Sequence, residues 1–319
     1  MATAEQIKSL IKAYCARDDE KFKTVVLQIA AHEAKLGHGG IAQELKKEIE
    51  NFGKGSNVVK LSNMSNTMLD YTMPSLELRE LIVSETVLSK VKRILMEYRN
   101  KNKLLKSGLS NRRKLLLEGN PGTGKTMTAS VIASELNLPL FTVQVDKMVT
   151  KFMGETSIRL RQIFESMSTT SGVYFFDEFD AIGADRSLDN EVGEMRRILN
   201  SFLQFIETDT SDSIIIAATN NQRILDKALF RRFDDVIHYD MPDDDQIRRL
   251  FEFKLNSYAE EDVCDSKVIE AARGLSHADL SLVCDDAIKD SILYGSTISQ
   301  IMIITLLNER HRIYQGREA

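Results

Sequence analysis

One eight-residue segment constrains the fold of this chain more than any other feature of its 319 residues. Gly119 to Thr126 reads Gly-Asn-Pro-Gly-Thr-Gly-Lys-Thr and matches the pattern GxxxxGK[ST]. The apolar run Leu115-Leu116-Leu117 before it is typical of a buried strand, and a helical pattern begins near Met127. The segment therefore predicts a strand, a tight loop and a helix within an α/β domain.

The same segment predicts a phosphate-binding loop. Glycines allow successive backbone N–H groups to converge on phosphate oxygens at a helix N-terminus. Lys125 supplies a cation to those oxygens, and the Thr126 hydroxyl is expected to coordinate Mg²⁺. A glycine-rich turn that matches by chance is the alternative, and the flanking strand and helix disfavour it. We therefore expect ATP with Mg²⁺ to bind at Pro121, Gly122, Thr123, Gly124, Lys125, Thr126 and Met127.

Two adjacent carboxylates follow a second apolar run. Val173 to Phe176 reads as a buried strand, and Asp177 and Glu178 come directly after it. Acids at a strand end are common, but after a phosphate-binding loop in this order they indicate catalysis. Asp177 is the expected Mg²⁺ ligand, directly or through water, and Glu178 the expected base that polarises the attacking water.

The chain divides into four predicted parts. Apolar residues at helical spacing form three short stretches in residues 1–52, and residues 53–70 read as a linker rich in Gly, Ser and Asn. β-rich runs alternate with helical stretches through 71–242, which predicts a parallel sheet covered by helices on both faces. Residues 243–319 read as helical. We expect a helical docking domain, a linker, a nucleotide-binding domain and an all-helical lid.

Composition and charge narrow the class of protein. The net charge is −5 with both signs interspersed, which disfavours a nucleic-acid partner. Cys15, Cys264 and Cys284 lack the spacing of a zinc site or a disulfide framework. The N-terminus has no signal-peptide pattern, and the longest apolar run, Ile301 to Leu307, is too short to span a bilayer. These features predict a soluble cytoplasmic protein that acts away from membranes.

Three further segments resemble the AAA family of ATPases, in the clade of katanin, spastin, the proteasomal ATPases and the membrane-protease ATPases. They are Phe176 to Ile182, Ala217 to Asn220 and Leu229 to Asp234. The resemblance covers residues 76 to 310. It implies a five-stranded parallel sheet in the order 5-1-4-3-2 between helices, a small helical lid, and a ring of identical copies, expected to be a hexamer.

Two catalytic residues are expected from this resemblance. Asn220 corresponds to the residue that holds the attacking water, with a plain strand cap as the alternative. Arg232 resembles the arginine finger that enters the neighbouring subunit's site. The pattern departs from the family in two places, because Arg231 replaces a glycine and Asp235 replaces a second arginine. Arg231 and Arg232 therefore both remain candidates, against a surface arginine that pairs with Asp234 or Asp235.

The resemblance also includes two segments that contact the base and ribose of the nucleotide in the family. Ile82 and Val83 occupy the position of the family's adenine-binding backbone segment. His277 and Ala278 occupy the position of the sensor-2 segment, which normally reads Gly-Ala. Because a histidine replaces the glycine, two roles remain open for His277, namely contacting nucleotide or capping the helix.

A protein substrate is implied by a further resemblance. Phe152 and Met153 occupy the position of the pore loop that grips an extended polypeptide, and packing into the core is the alternative. The whole chain resembles bacterial members of the family for which a separate subtilisin-like peptidase is a candidate partner. The resemblance therefore implies an unfoldase. The competing functions are a nucleic-acid loader or initiator and a regulatory ATPase that remodels one enzyme complex.

Overall fold

The computed structural model describes residues 8–9, 12, 19–35, 38, 40–46, 69–143, 155–179, 189–220, 230–259 and 263–315. The chain separates into two compact units, Met1–Leu61 and Ser62–Ala319. This division falls inside the segment predicted as a linker.

The N-terminal unit is helical over most of its described residues. Helix α1 spans Asp19–Lys35, and residues 40–46 are also helical. Between them, His38 Nδ1 lies 2.7 Å from Glu33 Oε2. Most of the first predicted helix, around Ile7 to Tyr14, lies outside the described residues.

The second unit is built on a sheet that has six strands in the described part of the chain. Every neighbouring pair except β1 with β3 is parallel, and the strand order is β1-β3-β4-β5-β2-β6. Without β1 this is the predicted order 5-1-4-3-2, which is confirmed. The strands are β1 Leu69–Thr72, β2 Lys114–Gly119, β3 Leu140–Val143, β4 Val173–Phe176, β5 Ile214–Thr219 and β6 Asp235–Tyr239.

The antiparallel edge strand β1 is an addition to the predicted sheet. Leu69 pairs with Val143 and Thr72 pairs with Leu140, so the strand begins inside the segment predicted as a linker. Three of its four residues are exposed. An edge strand of this kind carries no apolar run, and the sequence therefore gives little sign of it.

Helices lie on both faces of the sheet, as predicted. Phe175 joins the core formed with α2 and α4, whereas the ring of its neighbour Phe176 lies 5.0 Å from that of Phe202 on α6. Successive residues of a strand point to opposite faces, so these helices lie on opposite sides. The described helices of this α/β part of the chain are α2 Glu85–Arg99, α3 Lys101–Lys106, α4 Lys125–Glu135, α5 Glu155–Thr169 and α6 Asp189–Thr208.

The C-terminal part of the second unit is the helical lid. Its described helices are α7 Asp244–Leu255, α8 Ser266–Ala272, α9 His277–Tyr294 and α10 Gln300–Gln315. Asp243, Asp265 and Ser276 cap the first three of these helices by accepting hydrogen bonds from backbone N–H groups. A separate apolar core, which includes Phe251 and Leu280, holds the lid together.

Among the described helices, none has both the length and the apolar character needed to cross a bilayer.

Candidate nucleotide-binding site

The predicted phosphate-binding loop connects strand β2 to helix α4. Gly124 is the N-cap of α4, with a φ of 101° in the left-handed region that glycine adopts without strain. Gly122 has a φ of 74°, and a Cβ at this residue would lie 2.5 Å from Ser276 Oγ. The loop can therefore approach the lid closely only because residue 122 has no side chain.

The loop is held in its turn by its own side chains. Lys125 Nζ donates hydrogen bonds to the carbonyl oxygens of Gly119 at 2.7 Å and Asn120 at 2.8 Å. Thr123 Oγ1 donates to the same Asn120 oxygen at 2.8 Å. Lys125 is buried, and a buried ammonium requires such partners because burial without them is costly. The cation is therefore kept beside the loop backbone.

The two predicted carboxylates come together with the end of this loop. Asp177 Oδ2 accepts a hydrogen bond from Thr126 Oγ1 at 3.4 Å. The other oxygen of Asp177 accepts the backbone N–H of Glu178 at 2.9 Å. The hydroxyl and the carboxylate predicted to coordinate Mg²⁺ are therefore neighbours in the folded chain.

Glu178 has an uncommon backbone conformation. Its φ is 50°, in the left-handed region that residues other than glycine rarely occupy. Its side chain is exposed and lines the same cavity as Lys125 and Asp177. Such conformations carry a cost and concentrate at active sites. The chain therefore turns sharply after Asp177, with the carboxylate of Glu178 at the cavity.

Asn220 follows strand β5, which lies between β4 and β2 in the sheet. The carboxyl ends of these three parallel strands meet at one edge, so Asn220 lies near both the carboxylates and the loop. It is half-buried and lines the same cavity.

One cavity of about 940 Å³ extends from the loop to the lid. This volume is in the range of small-molecule sites in proteins. Val83 and Thr123, although predicted to bind nucleotide, do not line it: Val83 packs beside Gly124, and Thr123 bonds to Asn120. The predicted site residues that line the cavity are Ile82, Pro121, Gly122, Gly124, Lys125, Thr126, Met127, Asp177, Glu178, Asn220, His277 and Ala278.

Apart from His277 and Ala278, sequence reasoning missed the lid residues that line this cavity. Leu250 and Lys254 stand four positions apart on α7, so they share a helix face. This helical spacing is visible in the sequence, but it does not show which face of the helix borders a cavity. The lid residues involved are Leu250, Phe253, Lys254, Ser257, Tyr258, Ser281 and Ile288.

His277 is the first residue of helix α9 and is buried. Its Nε2 lies 3.1 Å from Gln246 Oε1. Burial lowers the pKa of the imidazole to about 4, against a smaller opposite effect of Asp243, so the ring is neutral at pH 7. Ser276 caps the helix by accepting the N–H of Asp279 and is part of a capping box. The capping role left open for His277 is therefore filled by its neighbour.

Neither candidate finger lines the cavity of its own chain. Arg231 and Arg232 are both exposed, and Arg232 forms an ion pair with Glu207 at the end of α6. The alternative to a finger, an arginine paired with Asp234 or Asp235, is not seen, because other groups bind those carboxylates. The partners are Arg113 N and Lys114 N for Asp234, and the side chains of Lys90 and Arg112 for Asp235.

The predicted pore residues Phe152 and Met153 lie outside the described residues. The described residues resume at Glu155, where helix α5 begins, and Thr156 in that helix is buried.

The fold and the site together define a P-loop nucleoside triphosphatase. The model of the ATPase family associated with various cellular activities (AAA) matches residues 115–241. An uncharacterised AAA family ATPase from Sinorhizobium fredii is 32% identical over 303 residues, which cover 92% of this chain and 90% of that relative. The chain belongs to the AAA family of ATPases. Its enzymatic activity is ATP hydrolysis.

Two other relatives are similar over slightly more than half of the chain. A proteasome-activating nucleotidase from Methanopyrus kandleri is 35% identical over 190 residues, or 57% of this chain and 44% of that relative. An ATP-dependent zinc metalloprotease FtsH from Parabacteroides distasonis is 36% identical over 181 residues, or 54% of this chain and 26% of that relative. The chain therefore spans less than half the length of these two relatives.

Proposed function

We propose that this ATPase works as a ring of identical copies, a hexamer, that uses ATP hydrolysis to unfold or remodel a protein substrate. The observation that carries the ring is the incompleteness of the site. Among the described residues, no arginine lines the cavity, whereas Arg231 and Arg232 are exposed elsewhere on the surface. A neighbouring copy would supply the missing arginine.

Lys125 and the backbone N–H groups of the loop would bind the β- and γ-phosphates. Thr126 and Asp177 would hold Mg²⁺, and their contact at 3.4 Å supports this assignment. No group of three metal-ligating side chains occurs among the described residues. That fits Mg²⁺, which is usually bound by one or two protein groups together with phosphate oxygens and water. When bound, the ion supplies positive charge to the β- and γ-phosphate oxygens.

The remaining groups would act on the attacking water. Glu178 accepts its proton, and Asn220 holds the water in line with the γ-phosphate. The finger, Arg232 or Arg231 of the adjacent subunit, neutralises charge on the phosphoryl group as it transfers. An arginine in this role contributes about 10³ to 10⁵ in rate in other phosphoryl-transfer enzymes. An isolated subunit would therefore be nearly inactive.

A protein substrate is supported by the kinds of relatives that match slightly more than half of the chain. One is described as proteasome-activating and another as an ATP-dependent protease. Phe152 and Met153 would grip an extended chain, and residues 1–52 would recruit the substrate or a partner. A separate subtilisin-like peptidase is the proposed recipient of unfolded chains.

Substitution of Phe152 tests the unfolding activity. The full chain with Phe152→Ala should keep its ATP turnover within about threefold, because the substitution changes none of the groups proposed to bind or hydrolyse ATP. Its unfolding of a stably folded, tagged protein should fall by at least about tenfold, and Phe152→Tyr should retain the activity because it keeps an aromatic grip. Normal unfolding by Phe152→Ala would contradict threading through this loop while leaving the ATPase activity intact.

A further inference from the structure

The surface around helix α3 is both basic and apolar. Residues 92–109 contain six basic residues and one acidic residue, Glu97, in a chain whose net charge is −5. Lys103 and Lys106 are exposed, and neither forms an ion pair with a described residue. Three large apolar side chains on and beside α3 are 58% to 65% exposed. We define the basic surface as Met96, Lys103, Leu105, Lys106 and Leu109.

A second exposed surface lies on the lid, and it is acidic and apolar. Its four large apolar side chains stand at the end of α9 and in the first turn of α10, and they are 68% to 79% exposed. Asp290 precedes them on α9 and forms no ion pair with a described residue. Apolar side chains exposed together in this way mark interaction sites. We define the lid surface as Asp290, Ile292, Leu293, Tyr294 and Ile301.

The lid surface includes the rim of a cleft. A cavity of about 710 Å³ lies where α9 ends and α10 begins, and both Gly295 and Ile301 line it. Tyr258, Val263 and Ile298 add apolar groups to its lining. The volume is within the range of binding cavities in proteins. An apolar side chain of another protein molecule can therefore enter the lid surface at this cleft.

The two surfaces complement each other in charge and in apolar character. The lysines of the basic surface have no carboxylate partner, and Asp290 has no cationic partner, among the described residues. Complementary charges of this kind orient two proteins and fix their register. A second copy of the chain carries both surfaces, so one copy can offer its basic surface to the lid surface of another. Contact between two different surfaces continues from copy to copy, and it closes into a ring when the rotation allows.

We propose that the basic surface of one copy binds the lid surface of the next copy, with Leu105 entering the cleft and its flanking lysines near Asp290. The proposal rests on the ring proposed above and names the surfaces that join its subunits. The lid also lines the proposed ATP site. Each subunit would therefore bind its neighbour through the same part of the chain that borders its own nucleotide.

Two variants of the full chain each alter one surface. The basic-surface variant carries Leu105→Ser and Lys106→Glu, and the lid-surface variant carries Leu293→Ser and Tyr294→Ser. Sedimentation velocity with the slowly hydrolysed analogue ATPγS measures the protein concentration at half-assembly. Each variant should raise this concentration at least about 10-fold, because a few anchoring side chains carry most of an interface's binding energy. The matched control is Met73→Ser, since Met73 is 57% exposed and lies outside both surfaces.

A mixture of the two variants tests whether the contact is head-to-tail. The basic-surface variant keeps its lid surface, and the lid-surface variant keeps its basic surface. Equal amounts should therefore form dimers, and no rings, at a concentration at which either variant alone is monomeric. Dimers of the basic-surface variant alone would contradict the proposal, because they would mean that two lid surfaces bind each other.

Two other results would overturn the proposal in different ways. Half-assembly concentrations that both variants leave unchanged would keep the ring but assign these surfaces to another occupant, such as the N-terminal unit or a different protein. Failure of the wild type to assemble while it binds ATPγS would remove the proposed ring, and this inference with it. Both variants should bind ATPγS within about threefold of the wild type, since none of the four altered residues lines the nucleotide cavity.

Discussion

At the scale of single residues, Glu178 unites a chemical role with a backbone constraint. Its left-handed φ of 50° is an uncommon conformation for a residue with a Cβ. The N–H of Glu178 is bound by the Asp177 carboxylate, which helps to keep the turn in place. The carboxylate predicted to activate water is thereby held at the cavity beside the carboxylate predicted to hold Mg²⁺.

The substitution Glu178→Gln should separate binding from hydrolysis. ATP affinity should be unchanged or higher, since one negative charge near the phosphates is removed, while turnover should fall at least about 100-fold because the general base is lost. Equilibrium binding of ATP and release of phosphate measure the two effects. The matched control is Glu165→Gln on α5, whose exposed side chain contacts only Arg161 at 3.7 Å among the described residues. A Glu178→Gln enzyme that turns over like the wild type would contradict the assignment.

The contacts of Asp235 explain why this chain departs from the family pattern at that position. Its carboxylate binds Lys90 at 2.9 Å and Arg112 at 3.2 Å. An arginine at this position would bring a third positive charge to those two cations. The aspartate therefore has a structural role at the start of β6, and only one stretch, Arg231 and Arg232, is left to supply a finger.

The buried His277 should make stability depend on pH. Its pKa is about 4 in the folded chain and about 6.5 when unfolded, so the unfolded state binds more protons between these values. The stabilising contribution is therefore fully present above pH 6.5 and is lost as the pH falls toward 4. Between pH 7 and pH 4.5 the wild type should lose about 2 kcal/mol more of its unfolding free energy than His277→Gln does.

Urea denaturation at the two pH values measures this difference. The matched control is His311→Gln, because His311 contacts the carbonyl oxygen of Ala271 within the lid, and this variant should follow the wild type. Parallel losses in the wild type and His277→Gln would mean that the imidazole is not held neutral by burial.

At the scale of elements, the N-terminus of α9 joins the lid to the phosphate-binding loop. Ala278 N–H bonds to Gly122 O, and Gly122 approaches Ser276 too closely to tolerate a side chain. The Asp279 side chain stabilises this turn because it completes the capping box of Ser276. Movement of the lid and the shape of the loop are therefore connected through the first turn of one helix.

The Asp279 carboxylate also connects α9 to α10. It accepts hydrogen bonds from Ser276 Oγ at 2.6 Å, Arg310 Nε at 3.0 Å and Tyr314 OH at 2.8 Å. The substitution Asp279→Asn should lower the free energy of unfolding of the lid by about 3 kcal/mol, since it leaves the half-buried Arg310 without its counter-charge. Urea denaturation followed by circular dichroism measures it.

The control for this prediction is Asp286→Asn on the same helix. Its carboxylate forms an exposed pair with Lys289, and such pairs contribute about 0 to 1 kcal/mol. Similar effects of the two substitutions would show that Asp279 is no more than a surface acid.

At the scale of the whole molecule, the groups proposed for catalysis do not all lie together in one chain. The loop, Asp177, Glu178 and Asn220 share one cavity, whereas Arg232 pairs with Glu207 on the surface. If Arg232 serves a neighbouring site, it must leave Glu207 to do so. The ion pair between exposed side chains is weak enough to permit this, because water screens it.

Substitution at both ends of this pair tests the ring. Arg232→Ala should lower turnover at least about 100-fold if it is the finger, whereas Glu207→Gln should leave turnover within about threefold, since it removes only the competing partner. Arg231→Ala is the matched neighbour, and a larger loss there would identify Arg231 as the finger. Equal losses in Arg232→Ala and Glu207→Gln would mean that the pair itself is what matters.

Mixed rings test whether the finger acts between subunits. Arg232→Ala chains mixed with an equal amount of Glu178→Gln chains should regain up to about a quarter of wild-type turnover, because an intact Glu178 then meets an intact Arg232 wherever the two variants are neighbours in the required order. A mixture as inactive as either variant alone would contradict action in trans.

Sequence alone was sufficient for the phosphate-binding loop, the five parallel strands in their order, and the family. The loop and the strands depend on local information: a loop pattern between an apolar run and a helix, or runs whose residues are buried on both faces. The strand order was implied by the resemblance to the AAA family. The edge strand β1 could not be predicted from the sequence, because its mostly exposed residues form no apolar run.

Only the tertiary structure decided how distant segments meet. It determined the left-handed turn at Glu178, the cations that bind Asp235, the cavity wall formed by α7 and α9, and the burial of His277. The physical reason is that burial, charge pairing and hydrogen-bond partners come from residues far apart in the chain. A sequence pattern names the groups that can react, and their surroundings in the fold determine the protonation state and conformation in which they do so.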